Sequence, residues 1–340
     1  LRDAGRGRYT VPAIRCGSIG RAGTGADRLS VSGVTDRVGA RIAELIGPDP
    51  VSGLGVAVSG GSDSLALMLC AAKWAASRDI AFRAVTIDHG LRAEAAREAG
   101  EVAAIARAHG IAHDIVPWGG WTGQGNLQDQ ARQARYALIS DWAHGVGISH
   151  VALGHTADDQ AETLLMRLAR GAGVDGLSAI PERRLFQGVT FMRPLLDIGR
   201  GELRDWLAAQ GQDWIDDPSN EDARFDRVKA RQALDVLAPL GIGRAQLAVV
   251  AANMAEARKA LNWYVYLAAR EIARLESGDV VIASVGFRAL PEEIKRRMLA
   301  HALCWISGAP YPPRRRPLVD LVNKALNGEG ATLHGCRLLP

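Results

Sequence analysis

The sequence has few cysteines, and none of them forms a pair. Its 340 residues include four cysteines, Cys16, Cys70, Cys304 and Cys336, with no C-x-x-C spacing. A zinc ribbon, an iron–sulfur cluster and a disulfide framework all need paired or clustered cysteines. Their scarcity argues against these three kinds of site and favours a reducing compartment, so we expect a cytoplasmic protein.

Long apolar runs are also missing. No run approaches the roughly 20 residues that cross a bilayer, although 48% of the residues are hydrophobic. We therefore expect a globular protein with no membrane partner and room for two domains. The net charge of +4 is compatible with a polyanionic partner, but nearly all basic residues are Arg, which a GC-rich genome explains equally well.

Lysine is absent from the stretch where a nucleotide-binding loop is expected. The apolar run Val56–Val58 stops at Ser59-Gly60-Gly61-Ser62-Asp63-Ser64, and helical spacing follows at once. This pattern predicts a strand, a tight loop and a helix whose N-terminal amides bind phosphate. A Walker A loop needs a lysine, and the sequence has none between Arg28 and Lys73.

Asp63 is unusual in a phosphate loop because a carboxylate repels a bare phosphate. Its presence is explained if Mg²⁺ lies between it and the nucleotide. The alternative is that Asp63 and Ser64 are ordinary capping residues of a turn. Ser-Gly-Gly-Ser-Asp-Ser after a strand resembles the pyrophosphate loop of the N-type ATP pyrophosphatases, which cleave ATP between its α and β phosphates and transfer AMP.

The first two thirds of the chain alternate strands and helices. Strands are predicted at 82–87, 111–116, 150–154 and 189–192, with helices between them. The predicted fold class is α/β, a parallel-sheet Rossmann-like domain. Since ligands of such sheets bind at the carboxyl ends of strands, residues 59–64, 88–92 and 154–163 are expected at one edge.

Three domains or segments are predicted from the changes in pattern. Residues 1–30, rich in Gly and Arg, are expected to be a disordered leader or the product of a misplaced translation start. Residues 31–235 form the catalytic domain. Residues 236–340 form a smaller, mainly helical domain, possibly truncated, with helices at 244–275 and 291–306, a weak strand at 279–283 and a last strand at 331–338.

Three carboxylates follow the strand at 150–154. Asp158 and Asp159 lie in the first turn of the next helix, and Glu162 shares their face. A well-capped helix explains them in part. The cluster is larger than capping requires, and it suits a divalent metal or an ammonium group.

A dinucleotide fingerprint at Gly171–Gly176 is rejected. It matches G-x-G-x-x-G, but it follows a predicted helix, whereas the fingerprint requires a preceding strand. We interpret this stretch as a flexible loop. The later basic residues Arg224, Arg227, Lys229 and Arg231 fit either an exposed helix face or contacts with RNA phosphates.

Five motifs together carry a more specific resemblance. They are Ser-Gly-Gly-Ser-Asp-Ser at 59–64, Asp-His-Gly-Leu-Arg at 88–92, Gly-His-Thr-Ala-Asp-Asp-Gln-Ala-Glu-Thr at 154–163, Arg-Pro-Leu-Leu at 193–196 and Asp-Pro-Ser-Asn at 217–220. Over residues 34–235 the sequence resembles the tRNA(Ile)-lysidine synthase family. It departs from that family's Arg-Asn-x-Ile-Arg at Arg227–Arg231, where only the two arginines are kept.

This resemblance implies ATP-dependent ligation of L-lysine to carbon 2 of the wobble cytidine in tRNA(Ile) with anticodon CAU, through an adenylated tRNA. It implies ATP and Mg²⁺ as cofactors, with Asp63 as the metal ligand, and a possible homodimer. Asp63, Asp158, Asp159 and Glu162 are the expected catalytic residues. The expected ATP-binding residues are Ser59, Gly60, Gly61, Ser62, Asp63, Ser64, His89, Arg92 and His155. The expected tRNA contacts are Arg132, Arg135, Arg227 and Arg231.

Three other functions are weighed. A tRNA 2-thiocytidine synthetase adenylates the same carbonyl, but it needs paired cysteines. A small-molecule amide-forming ligase would turn over without RNA and would not need the helical domain. A non-catalytic RNA-binding module is disfavoured by the acidic cluster, because carboxylates weaken RNA binding unless they hold a cation.

Overall fold

A computed structural model describes residues 31–48, 51–90, 94–119, 127–216, 226–309 and 311–339. The leader 1–30, Arg92 and the Asp-Pro-Ser-Asn motif at 217–220 lie outside these ranges, and so does the side chain of Arg132. What is expected of them stays a prediction.

A six-stranded sheet forms the centre of the first part of the chain. Its strands are β1 Gly53–Ala57, β2 Ala81–Asp88, β3 Ala112–Pro117, β4 His150–Leu153, β5 Arg183–Phe186 and β6 Val189–Met192. Their order is β3-β2-β1-β4-β6-β5, and every neighbouring pair is parallel except β5 with β6. The α/β, Rossmann-like fold class is confirmed, and β5 is an antiparallel edge strand that the sequence analysis missed.

Helices cover both faces of this sheet, and the described residues of this part of the chain form eight. They are α1 Val31–Ile46, α2 Ser62–Ala76, α3 Ala95–Ala108, α4 Leu127–Gly145, α5 Ala157–Leu168, α6 Val174–Leu177, α7 Arg200–Ala209 and α8 Asp226–Leu237. Leu54 and Val56 of β1 point into a core shared with α1, α2 and α7. Val151 and Leu153 of β4 point into a second core under α4. Burial on both faces explains why these short strands are almost continuously apolar.

The remaining residues are mainly helical, with two small hairpins. The elements are α9 Arg244–Ile272, β7 Ala273–Glu276, β8 Asp279–Ile282, α10 Ser284–Ala289, α11 Glu292–Ser307, α12 Arg315–Asn327, β9 Ala331–Leu333 and β10 Cys336–Leu338. A short 3₁₀ turn at Ala238–Leu240 precedes α9. Val265 of α9, Met298 of α11 and Leu321 of α12 share one buried core.

Two predicted elements in this part need correction. The long helix ends at Ile272 and not at 275, because residues 273–276 pair with β8 in an antiparallel hairpin. The last strand, predicted at 331–338, is also a hairpin. Its turn contains His334 and Gly335, both with positive φ (58° and 76°), a backbone conformation that interrupts a strand.

The two parts of the chain are packed together across the predicted boundary near residue 235. Leu164 of α5 lies in one buried cluster with Leu234 of α8 and with Leu247 and Ala251 of α9. Arg297 of α11 reaches back to Asp175 of α6 through two hydrogen bonds of 2.8 and 2.7 Å. The domain division therefore stays a prediction, and α8 is the element that contains its boundary.

The rejected dinucleotide fingerprint lies between helices. Residues 171–176 follow α5, and their second half forms α6. A helix and not a strand precedes this stretch, which agrees with the rejection of a dinucleotide-binding site. The expectation of a wholly flexible loop is wrong for residues 174–177, since these are helical and Asp175 is held by Arg297.

No single helix in the described ranges is long and apolar enough to cross a membrane, and only the bent pair 226–240 with 244–272 passes that test of length and composition.

Candidate active site

The predicted phosphate loop connects β1 to α2 at the carboxyl edge of the sheet. Gly60 has a positive φ of 90°, and a β-carbon there would lie 2.6 Å from Ile215 Cδ1. At Gly61 the nearest atom to such a carbon is 3.9 Å away, so this side of the loop is open. α2 begins after Gly61 without a side-chain cap, so its first amides are available to an anion.

The serines of this loop hold its shape. Ser64 Oγ donates to the Gly61 carbonyl (3.0 Å) and accepts from the Ser59 amide (3.1 Å). Ser62 Oγ donates to Asp63 Oδ1 (3.2 Å) and accepts from Arg204 Nε (3.3 Å). These contacts fix the loop before any ligand arrives.

The 154–163 segment lies directly beside the phosphate loop. A β-carbon at Gly154 would be 3.0 Å from both Cα and N of Ser64. The end of β4 therefore touches the first turn of α2. The expectation that residues 154–163 lie at the same edge as residues 59–64 agrees with this contact.

The acidic cluster is defined as Asp63, Asp158, Asp159 and Glu162. Asp159 Oδ2 accepts from the Thr156 amide (2.9 Å) and Thr156 Oγ1 (3.1 Å), so it does cap α5. Asp158 Oδ2 accepts from the backbone amide of Arg200 (2.7 Å), at the start of α7. Glu162 is 1% exposed, and no described residue is hydrogen-bonded to its Oε2. Capping accounts for Asp158 and Asp159 in part, and does not account for Glu162.

Arg200 is the functional candidate that sequence reasoning missed. Its Nε donates to Asp63 Oδ2 at 2.9 Å, while its terminal nitrogens lie 3.7 Å from Asp159 Oδ2 and 4.0 Å from Glu162 Oε1. One guanidinium therefore joins the loop carboxylate to the cluster on α5. A signal existed in the sequence, because a cation in the first turn of a helix is opposed by the helix dipole and needs another reason to be there.

Three more arginines surround the cluster. Arg231 donates to Glu162 Oε1 through Nε (3.0 Å), and Arg244 Nε lies 3.3 Å from Asp158 Oδ1. Arg227 lies 3.9 Å from Asp159 Oδ1 and is more exposed than Arg231. Two of the four arginines predicted to contact tRNA, Arg227 and Arg231, thus face the carboxylates from α8.

Burial and charge set the protonation of these carboxylates. Burial raises the pKa of Asp63 despite the nearby Arg200. Burial also raises the pKa of Glu162, although Arg231 opposes it. Burial acts in the same direction on Asp159, but the charge of Arg200 and the hydrogen bond from the Thr156 amide oppose it, and the pKa of Asp159 is lowered.

The histidines expected at the nucleotide lie near the same edge. Burial lowers the pKa of His155 to about 3, so its ring is neutral. Burial and the charge of Arg135 lower the pKa of His89, whose ring packs edge-on against Trp118 (5.8 Å). Arg135 also lowers the pKa of His155. Arg135 therefore lies near both rings.

The Asp88-His89-Gly90 stretch forms a turn at the end of β2. Asp88 Oδ1 accepts from the Gly90 amide at 2.9 Å. This turn is compatible with a role for His89 at the nucleotide, because it fixes the direction of the His89 side chain at the end of β2.

The donor set suits a magnesium ion bound together with a nucleotide. Within the described ranges, no three His, Cys, Asp or Glu side chains are arranged to hold a metal by themselves. Mg²⁺ commonly takes one or two carboxylates and completes its shell with phosphate oxygens and water. Asp63, in the first turn after the phosphate loop, fits the role of the single protein ligand.

The chain is similar to several known proteins over much of its length. Residues 34–237 match the PP-loop domain family. The chain is 54% identical over 290 residues to the tRNA(Ile)-lysidine synthase of Ruegeria pomeroyi, covering 85% of this chain and 69% of that protein. It is 42% identical over 257 residues to the tRNA(Ile)-lysidine synthase of Bradyrhizobium diazoefficiens, covering 73% of this chain and 71% of that protein.

A solved structure shares the fold. The U34-tRNA thiolase NcsA from Methanococcus maripaludis, solved with its [4Fe-4S] cluster, aligns with a TM-score of 0.55 and 15% identity over 66% of this chain and 79% of that one. At this identity the likeness extends to the fold alone.

Proposed function

The chain belongs to the tRNA(Ile)-lysidine synthase family of PP-loop proteins, and we propose that it ligates L-lysine to carbon 2 of the wobble cytidine of tRNA(Ile) with anticodon CAU. ATP drives the reaction, and AMP and pyrophosphate are released. The enzyme is an ATP-dependent carbon–nitrogen ligase. Its proposed location is the cytoplasm, and a homodimer stays a prediction.

One observation carries this proposal. Arg200 contacts Asp63 of the phosphate loop and lies within 4.0 Å of Asp159 and Glu162 on α5. A nucleotide on the loop and an amine on the α5 carboxylates would therefore meet at one edge of the sheet. That arrangement suits a reaction in which AMP leaves as an amine arrives.

In the first step the oxygen on carbon 2 of cytidine attacks the α phosphorus, and the bond to pyrophosphate breaks. Negative charge grows on the phosphate oxygens, and the loop amides at Gly60 and Gly61 are proposed to stabilise it. Mg²⁺ held by Asp63 supplies charge neutralisation when bound.

In the second step the ε-amine of lysine attacks carbon 2, the carbon–oxygen bond breaks, and AMP leaves with that oxygen. The amine must lose a proton to become a nucleophile. We assign recognition of the lysine ammonium to Asp159 and Glu162. Glu162 is suited to accept the proton, because burial raises the pKa of its carboxyl group.

Asp158 has a positioning role in this proposal. Its carboxylate receives the Arg200 amide and Arg244, and so it orients the start of α7 relative to α5. His89, His155 and Arg92 are proposed to contact ATP, and Arg132, Arg135 and Arg227 to line the RNA path. Arg231, which was expected on the same path, is bonded to Glu162, so we assign it to the acidic cluster instead. Arg227 is the most exposed of the arginines around the acidic cluster, which suits a phosphate contact.

The direct test is transfer of labelled lysine to a transcript of tRNA(Ile) with anticodon CAU, in the presence of ATP and Mg²⁺. We expect one lysine per tRNA and stoichiometric release of AMP. The methionine tRNA with the same anticodon is the matched control and should accept much less. ATP turnover with lysine but without RNA would support a small-molecule ligase and contradict the proposal.

A further inference from the structure

The acidic cluster is neutralised by arginines from three helices. Within 4.0 Å of its four carboxylates lie the guanidinium groups of Arg200 from α7, Arg227 and Arg231 from α8, and Arg244 from α9. In the part of the chain that the structure describes, Arg200 is the one cation paired with Asp63.

Arg200 occupies the place where substrate cations are expected. Its Nε is hydrogen-bonded to the carboxylate proposed to hold Mg²⁺, and its other nitrogens face the two carboxylates proposed to hold the lysine ammonium. A divalent ion and an ammonium group cannot both approach these oxygens while the guanidinium stays between them, because like charges repel strongly in a poorly solvated site.

A second observation indicates that the cluster is incomplete without a ligand. Glu162 is 1% exposed, and its Oε2 has no hydrogen-bond partner among the described residues. A buried carboxylate oxygen without a partner is costly. The other oxygen of the same group faces Arg200 and Arg231, so Oε2 is the oxygen of this carboxylate that lacks a donor.

We propose that Arg200 is an internal counter-ion, which holds the acidic cluster in the ligand-free protein and leaves Asp63 when nucleotide and metal bind. This inference rests on the proposed function and deepens it. Because Asp63 belongs to the phosphate loop, the released guanidinium stays within side-chain reach of the loop. There it would pair with phosphate oxygens, as arginine does readily.

The exchange has a thermodynamic consequence. Arg200 contacts both the loop carboxylate and the α5 carboxylates, so its departure frees both at once. Nucleotide with metal and lysine should therefore bind with positive coupling, and each should tighten the other by the same factor. Without Arg200 this coupling should disappear.

The test measures binding of Mn²⁺ alone, by electron paramagnetic resonance, to the wild type and to Arg200→Gln. We expect Arg200→Gln to bind Mn²⁺ at least roughly tenfold more tightly, because the competing charge beside Asp63 is gone. Arg200→Lys keeps a cation and should bind Mn²⁺ as weakly as the wild type. Arg37→Gln is the matched control. Arg37 pairs with Glu202, which lies on α7 like Arg200 but does not belong to the acidic cluster. Equal affinities in the wild type and Arg200→Gln overturn the proposal.

A second measurement uses the wild-type protein, in case Arg200→Gln folds poorly. The Nε–H resonance of Arg200, assigned with Arg200→Lys, should shift and exchange faster with solvent when Mg²⁺ and a non-hydrolysable ATP analogue are added. An unchanged resonance at saturation contradicts the exchange.

These measurements separate the inference from the proposed function. Lysidine formation by the wild type together with unchanged Mn²⁺ affinity in Arg200→Gln would remove only the counter-ion role. Tighter Mn²⁺ binding in Arg200→Gln without any lysine transfer by the wild type would remove the proposed function and leave the counter-ion role standing.

Discussion

At the scale of single residues, the site depends on charged side chains that are mostly shielded from water. Asp63, Asp158, Asp159 and Glu162 have side chains that are at most 15% exposed. In such surroundings, removing one charge leaves its partner unbalanced. The effect of a substitution on activity should therefore depend on which charged side chain is left without its partner.

Asp63→Asn should reduce lysine incorporation by roughly 100-fold or more, because a catalytic charge interaction in a shielded site is worth that much. The measurement is the initial rate of labelled lysine transfer to tRNA. Asp114→Asn, which also breaks an aspartate–arginine pair but on the edge strand β3, is the control and should stay near the wild-type rate. Wild-type turnover by Asp63→Asn would exclude Asp63 from catalysis.

Arg227 and Arg231 should behave differently although both lie on α8. The Arg227 side chain is 47% exposed, so Arg227→Gln should reduce the slope of log affinity for tRNA against log salt by about 1. Arg231 is bonded to Glu162, so Arg231→Gln should leave that slope unchanged and raise the KM for lysine instead. Identical salt slopes for the wild type and Arg227→Gln would rule out a phosphate contact by Arg227.

His155 should make the protein less stable in mild acid. Burial lowers its pKa to about 3, against about 6.5 in an unfolded chain, so between these values only the unfolded state binds the proton. The free energy of unfolding should therefore fall as the pH is lowered from 7 to 5, by up to about 1.4 kcal/mol per unit from this residue. Urea unfolding of His155→Gln should show a flatter pH dependence. Parallel curves for the two proteins would contradict a buried neutral imidazole.

At the scale of elements, the contact between the end of β4 and the start of α2 determines the site. Gly154 allows this contact because it has no β-carbon, and the neighbouring atoms are backbone atoms that cannot rotate away. The phosphate loop and the acidic cluster are brought together by this close approach.

Gly154→Ala should push α2 away from β4. We expect a loss of about 1–3 kcal/mol in the free energy of unfolding, and a higher KM for ATP because the loop amides move. The control is Gly100→Ala in α3, where a β-carbon meets nothing within 4 Å. That change should be neutral or stabilise by up to about 1 kcal/mol. Equal effects of the two substitutions would show that the close approach is unimportant.

At the scale of the whole molecule, Arg297 connects the helical part of the chain to the catalytic part. Its guanidinium is 4% exposed and is bonded to Asp175 of α6, to Glu293 of its own helix and to Asn262 of α9. α6 follows α5, which carries three of the four residues of the acidic cluster, so this contact links α11 to the neighbourhood of the site.

Arg297→Met should lower the free energy of unfolding by about 1–3 kcal/mol, because several hydrogen bonds to charged groups are lost while the acidic partners can still reach water. Urea denaturation followed by circular dichroism measures the change. Arg274→Gln removes an exposed pair with Glu276 and should cost less than about 1 kcal/mol. A loss as small as that of the control would mean that Arg297 does not hold the two parts together.

Much of the fold was predictable because its signals are local. An apolar run ending in Ser-Gly-Gly-Ser specifies a strand and a turn within a few residues, and helical spacing specifies α2. β5 was missed because it has only four residues at the sheet edge, half of them exposed, so its pattern is weak. The two small hairpins, β7–β8 and β9–β10, were misjudged because their turns depend on backbone angles and not on hydrophobic spacing.

The sequence by itself determined that a phosphate loop and a set of carboxylates follow strand ends, since parallel strands bring such residues to one edge. Only the tertiary structure decided that Arg200 lies between them. This contact joins residues 137 positions apart, and it depends on where α7 begins relative to α2 and α5. A sequence pattern within a short window cannot predict this contact, because packing between helices that are distant in sequence sets the position of the Arg200 side chain.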